Sequence, residues 1–234
     1  SRRPDALALL ALGSCGSQLE RLDPYSDLDF FVIVKAATKA HFLADLSWLE
    51  TGSELIFAHR NTIDGWKTLD GEGVLCEFAV FEPAELSAIP YENGRVVWAR
   101  DGFDQSILEP RFRHTSEDRD WLRREALTIL LVGLKRCLRG EESAALWCVG
   151  TEASALVCRY LKAADPCSQA DGFNPWRRLE ETHPEIAQKM SAIRRMSHTS
   201  TMVRTLLGLL ASDGQSDTDL LAHIHAHLDL CDAR

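Results

Sequence analysis

Residues 12–34, LGSCGSQLERLDPYSDLDFFVIV, constrain this chain more than any other stretch. Asp27 and Asp29 stand at the head of an apolar run that ends at Val34. Side chains two apart on a strand point to the same face, so both carboxylates project from one side of a strand over 28–34. Like charges held that close are hard to keep ionised without a counter-ion, and an all-oxygen pair suits a hard divalent cation, Mg²⁺ before others. Upstream, Gly13 and Gly16 let the backbone turn tightly and approach a ligand, while Ser14 and Ser17 add hydroxyl donors to exposed amides. Together these parts describe a site for a metal-chelated polyphosphate.

The order and spacing carry a resemblance. Leu12-Gly13-Ser14, twelve intervening residues, then Asp27-Leu28-Asp29-Phe30 resembles the signature of nucleotidyltransferases of the DNA polymerase β-like superfamily. The phrase Tyr25-Ser26-Asp27-Leu28-Asp29 resembles the antibiotic nucleotidyltransferases that act on lincosamides and aminoglycosides. The resemblance implies an α/β (α+β) N-terminal catalytic domain with a mixed sheet, followed by an all-α helical bundle. It requires a strand over 6–12, although ALALLAL has helix-forming composition. Relatives usually carry a helix before that strand, for which residues 1–5 are too short. Many also have a further glycine in the gap, where this chain reads QLERLDP, and Glu20 or Asp23 turned inward would oppose phosphates.

In VLCEFAVF, Glu77 interrupts an apolar strand over 74–81. Alternation places Leu75, Glu77 and Ala79 opposite Cys76, Phe78 and Val80, so Glu77 is either on a solvated face or paired, since an ionised carboxylate inside an apolar run is otherwise expensive. The resemblance implies a third carboxylate on a neighbouring strand. Glu77 would then join Asp27 and Asp29 as a metal ligand or as the base that takes the acceptor's proton.

Between these segments, helical spacing of Phe42, Leu43, Leu46 and Leu49 predicts a helix over 36–49, and strands are expected over 54–59 and, less sharply, 62–69. A short turn or helix follows Glu82-Pro83, then an edge strand over 95–99. The composition shifts near Arg113, which divides the chain into a catalytic domain, 1–112, and a helical domain, 113–234. In the second half, Thr115 and Asp118 predict the start of a helix running to Leu138 and ended by Gly140. A second is expected over 142–162, a third from Asn174-Pro175, broken at Thr182 to Pro184 and restarting toward Leu210, and a last from Ser216 and Asp219 to Leu230. Four or five amphipathic helices with short connections predict an antiparallel bundle.

Lys135 and Arg139 share a helix face. They form either an exposed basic face or, as the resemblance implies for Lys135, a contact to nucleotide phosphates across a cleft between the domains. His223 and His227 share a face with no third ligand nearby, which reads as a surface helix. The spacing of Arg178 and His183 occurs easily by chance. The seven cysteines lack any CxxC pair, so they read as reduced thiols and not as a disulfide or zinc framework.

The formal net charge of −9 at pH 7 argues against bulk binding to nucleic-acid backbones and suits a cationic small substrate. No apolar run approaches the roughly 18 residues of a membrane span, no signal-peptide pattern opens the sequence, and a cytoplasmic protein is expected. The expected activity moves a nucleoside monophosphate, AMP first, from a nucleoside triphosphate such as ATP to a hydroxyl of a small molecule, releasing pyrophosphate. Gly13, Ser14 and Ser17 would hold the phosphates. The rivals are transfer to a protein or RNA end, and an antitoxin-like binding protein without turnover. Oligomeric state stays open, a homodimer included.

Overall fold

The computed structural model describes residues 3–49, 53–110, 118–165, 174–210 and 217–233. The chain divides into two compact units, Ser1–Arg113 and His114–Arg234. Arg113, Thr115, Cys167 and Ser216, used in the sequence reading, lie outside the described residues.

The first unit is built on six strands, β1 (Ala6–Leu12), β2 (Leu28–Val34), β3 (Leu55–His59), β4 (Gly65–Asp70), β5 (Leu75–Phe81) and β6 (Arg95–Ala99), in the order β3-β4-β5-β2-β1-β6. β2 and β5 run parallel and the other neighbours antiparallel, so the sheet is mixed. β1 is a strand despite its composition because it lies between β2 and β6, where Ala8 and Leu10 are 1% exposed. Sheet pairing and burial on both faces outweigh a propensity difference of a few tenths of a kcal/mol per residue.

Alternation along β2 and β5 feeds two apolar layers. Val32, Val34, Phe78 and Val80 pack with Phe42 and Leu43 of α1 (Lys39–Ala44), where Phe78 stacks on Phe30 at 5.2 Å and meets Trp48 edge-on at 5.2 Å. On the opposite face Ile33 and Phe81 join Leu10, Leu86, Tyr91 and Leu108, two of which come from short 3₁₀ turns at Leu86–Ala88 and Gln105–Leu108.

α1 is shorter than its apolar spacing predicts. The Asp45 carboxylate accepts from the Ser47 amide and hydroxyl, each at 3.0 Å, and Asp45 takes an extended conformation that ends the helix. A short acidic side chain that bonds forward to the backbone competes with the helical hydrogen bond. The same contacts hold the Asp45 carboxyl below its ordinary range, the Ser47 amide contributing most.

The second unit contains α2 (Arg119–Leu138), α3 (Glu142–Trp147), α4 (Ser154–Lys162), α5 (Leu179–Thr182), α6 (Pro184–Arg194), α7 (Thr199–Leu210) and α8 (Thr218–Asp232). Its core gathers Leu122, Leu127, Leu130, Leu134, Val157, Ile193, Leu206 and Ile224. Asp118 caps α2 by accepting from the Asp120 amide at 2.9 Å. The helix expected over 142–162 is interrupted by a π-helical segment, Cys148–Ala153, beside Gly133 of α2. A Cβ on Gly133 would come within 2.5 Å of the Val149 Cγ2 methyl, so the π segment packs its side chain into the space the glycine leaves on α2. Asn174 does not cap a helix: its Oδ1 accepts from the Trp176 amide at 3.0 Å in an Asx turn, and α5 starts only after Arg178, whose φ is +52°. The pattern toward Leu210 breaks a second time after Arg194, where Arg195 and Met196 donate to Ala192 and Ile193 in a tightened last turn. Among the described residues no helix is long and apolar enough to cross a membrane.

Candidate active site

Strand register sets two of the predicted acids, Asp29 and Glu77, side by side. Asp29 lies opposite Leu12 on β1 and beside Glu77 on β5; Glu77 in turn lies opposite Lys67 on β4, and Lys67 opposite His59 on β3. Register partners point to the same face, so Asp29, Glu77, Lys67 and His59 form one row across the sheet, with Asp27 two residues before Asp29, just ahead of the strand. Further along that face the same two strands carry Phe31, Ile33, Ala79 and Phe81, all in or against the apolar layer. β2 and β5 are parallel, so their N-terminal ends coincide, and the face is acidic there and apolar beyond.

The Gly-Ser turn closes over this end. β1 runs into a 3₁₀ turn, Gly13–Cys15, in which Gly13 has a φ of +55°. A Cβ at Gly13 would lie 2.4 Å from Asp29 Oδ2, so only glycine lets the aspartate sit against the turn. A Cβ at Gly16 would lie 2.2 Å from the Asn93 carbonyl, which accepts from the Ser17 amide at 2.7 Å. Arg95 holds the turn from β6: its Nε donates to the Cys15 and Gly16 carbonyls at 3.1 Å, and its Nη2 to Cys15 at 2.9 Å.

Ser14 and Ser17 are placed differently. Ser14 is 7% exposed and donates to the Asp27 carbonyl at 3.4 Å, so its hydroxyl ties the turn to the strand that carries the aspartates. Ser17 is exposed. The amides of Gly16 and Ser17 are committed to Gly13 and Asn93. In the intervening loop, the Asp23 carboxylate accepts from the Tyr25 amide at 2.8 Å and the Ser26 hydroxyl at 3.0 Å, so this acid shapes the turn leading to Asp27. Glu20 is exposed.

Glu77 is held on both oxygens. Lys67 Nζ lies 3.0 Å from Oε2, and Asn61 Nδ2 donates to Oε1 at 2.8 Å. The hydrogen bond to Glu77 and its charge hold the Lys67 ammonium above its ordinary pKa, and the carboxylates of Asp27 and Asp29 add to this. Lys67 therefore lies within the field of all three acids. Among the described residues no three His, Cys, Asp or Glu side chains gather as a cluster able to hold a metal. The oxygen-only pair Asp27 and Asp29, with Asp29 against the Gly13 turn, nevertheless offers the donor chemistry a hard cation needs. Lys135 is exposed in the last turn of α2, and His223 and His227 lie on α8, where His227 Nδ1 lies 2.7 Å from the His223 carbonyl.

Lys67, Asn61 and Arg95 belong to the site although no sequence motif contains them. Lys67 and Glu77 are equidistant from Glu72 within a Gly-Glu-Gly turn, so opposite charges placed symmetrically about a hairpin were a usable signal. For Asn61 and Arg95 only the folded register makes the contact.

No protein-family model and no curated protein matches the chain. The chain is similar, at low identity, to several solved structures. One is a nucleotidyltransferase-like protein from Exiguobacterium sibiricum, 12% identical, with 94% of this chain and 73% of that chain covered at a TM-score of 0.40. An aminoglycoside 6-adenyltransferase from Bacillus subtilis is 10% identical over 97% of this chain and 91% of that one, with a TM-score of 0.37. A spectinomycin adenyltransferase from Enterococcus faecialis, solved with ATP and spectinomycin, is 11% identical over 98% and 93% at a TM-score of 0.29.

Proposed function

We propose that the chain is a magnesium-dependent nucleotidyltransferase that moves a nucleoside monophosphate, AMP by preference, from a nucleoside triphosphate to a hydroxyl of a small molecule of the aminoglycoside or lincosamide type, with release of pyrophosphate. The observation that carries this reading is the registered row of Asp29 and Glu77 at the N-terminal ends of two parallel strands, with Asp27 beside it and the Gly13 turn pressed on Asp29.

Asp27 and Asp29 hold the cation through carboxylate oxygens. A bound Mg²⁺ would neutralise charge on the triphosphate during in-line attack at the α-phosphorus. The Gly13 turn, braced by Arg95, positions the phosphates together with the exposed Ser17 hydroxyl. Lys135 is the basic residue that the resemblance assigns to those phosphates. Glu77 takes the proton of the attacking hydroxyl, for which Lys67 must yield the carboxylate oxygen it now pairs with, since both oxygens are engaged. An acidic protein with a net charge of −9 favours a cationic acceptor.

Pyrophosphate release is the direct test. Each nucleoside triphosphate is offered with Mg²⁺ against a panel of aminoglycosides and lincosamides, to wild-type protein and to Asp29→Asn. Acceptor-dependent release that the substitution abolishes is the expected result. Release that persists in Asp29→Asn, or none with any acceptor, sinks the reading.

A further inference from the structure

We propose that Lys67 is the built-in counter-cation of the acidic row and sets its affinity for a divalent ion, so that the metal enters with the triphosphate and not ahead of it. This rests on the nucleotidyltransferase reading and concerns the same site. Asp29 and Glu77 are register partners, and Glu77 and Lys67 are register partners, which fixes the ammonium beside the acids through backbone pairing. The ammonium lies 3.0 Å from Glu77 Oε2, while Asn61 donates to the other oxygen at 2.8 Å, so both carboxylate oxygens are engaged. Glu77 is thereby withheld from the metal pair.

Three neighbouring carboxylates repel one another unless a cation lies among them. Lys67 supplies that charge in the nucleotide-free protein, and a free divalent ion then meets two ligands and a resident positive charge. A triphosphate changes the balance because it brings oxygen ligands for the metal and negative charge that can draw Lys67 away from Glu77. Lys67 is accordingly a positioning residue that acts through Glu77 and through the field at Asp27 and Asp29. Its side chain is 43% exposed, so replacing it leaves the cores of the unit intact.

The test is Mn²⁺ binding to the full chain without nucleotide, read as loss of the free-ion paramagnetic resonance signal. Lys67→Met is expected to bind Mn²⁺ about tenfold more tightly than wild type, the scale of repulsion between a monovalent and a divalent cation a few ångströms apart in high dielectric. Lys67→Arg keeps the charge and is expected to match wild type. Adding Asp29→Asn to Lys67→Met is expected to remove the gain. Equal affinities for wild type and Lys67→Met overturn the assignment while leaving the metal pair standing, provided Asp29→Asn weakens wild-type binding. A gain that survives Asp29→Asn puts the ion elsewhere and overturns it too. Failure of both wild type and Lys67→Met to bind Mn²⁺ removes both the counter-cation and the metal pair.

Discussion

Gly13 shows how narrowly single side chains are set here. Its φ of +55° would strain an alanine by about 1–2 kcal/mol, and the added Cβ would displace Asp29 Oδ2 from a position only 2.4 Å away. Gly73, with a φ of +88° and no atom within 4 Å of where a Cβ would stand, faces the conformational cost alone. Gly13→Ala is therefore expected to lose at least as much stability as Gly73→Ala in urea unfolding, and only Gly13→Ala loses pyrophosphate release by an order of magnitude or more. Equal activities in the two variants would show that Asp29 has no need of the glycine. The glycine and both aspartates were legible in the sequence because they belong to one short stretch. The hydroxyl of Ser14 was not, since its inward turn to the Asp27 carbonyl depends on how β1 and β2 pair.

Elements were legible where apolar alternation or a long helical stripe decides them, as in β2, β5 and α2. They departed from the sequence pattern where a local side-chain bond or a close tertiary neighbour decides. Asp45 cuts α1 short, Asn174 makes a turn in place of a cap, and the close fit of Val149 against Gly133 accompanies a π segment in a stretch that reads as one helix. α4 carries a consequence that composition hides. Cys158 is fully buried on it, and desolvation pushes its thiol from 9.0 up to about 11, against the opposing charges of Lys162 and Arg194. The unfolded chain ionises this thiol from about pH 9, whereas the folded chain keeps it protonated to about pH 11, so the folded state binds more protons in that window and stability falls as pH rises through it. The loss from this group is on the order of 2 kcal/mol. Cys158→Ala is expected to flatten the slope of unfolding free energy between pH 9 and 11, whatever it does to stability at pH 7. An unchanged slope would mean that the thiol ionises in the native core.

For the nucleotidyltransferase proposed above, the charge of the whole chain decides how it meets a nucleotide. A protein of formal net charge −9 that presents Asp27, Asp29 and Glu77 to a polyanion gains nothing from long-range attraction, and Lys67 is already committed to Glu77. Nucleotide binding should then depend on the divalent ion far more than it does at a basic phosphate site. A ligand present at 100 times its dissociation constant stabilises the native state by about 2.7 kcal/mol, and for chains of this length each kcal/mol moves the unfolding temperature by roughly 2–4 °C. ATP with Mg²⁺ is expected to raise the midpoint of thermal unfolding by several degrees, ATP with EDTA to leave it in place, and Asp29→Asn to abolish the rise. The apolar layers on both faces of the sheet are unchanged in that variant, so its own midpoint without ligand should stay close to wild type. A rise of equal size with EDTA would mean that backbone amides and basic side chains hold the triphosphate unaided, and the aspartate pair would then need another explanation.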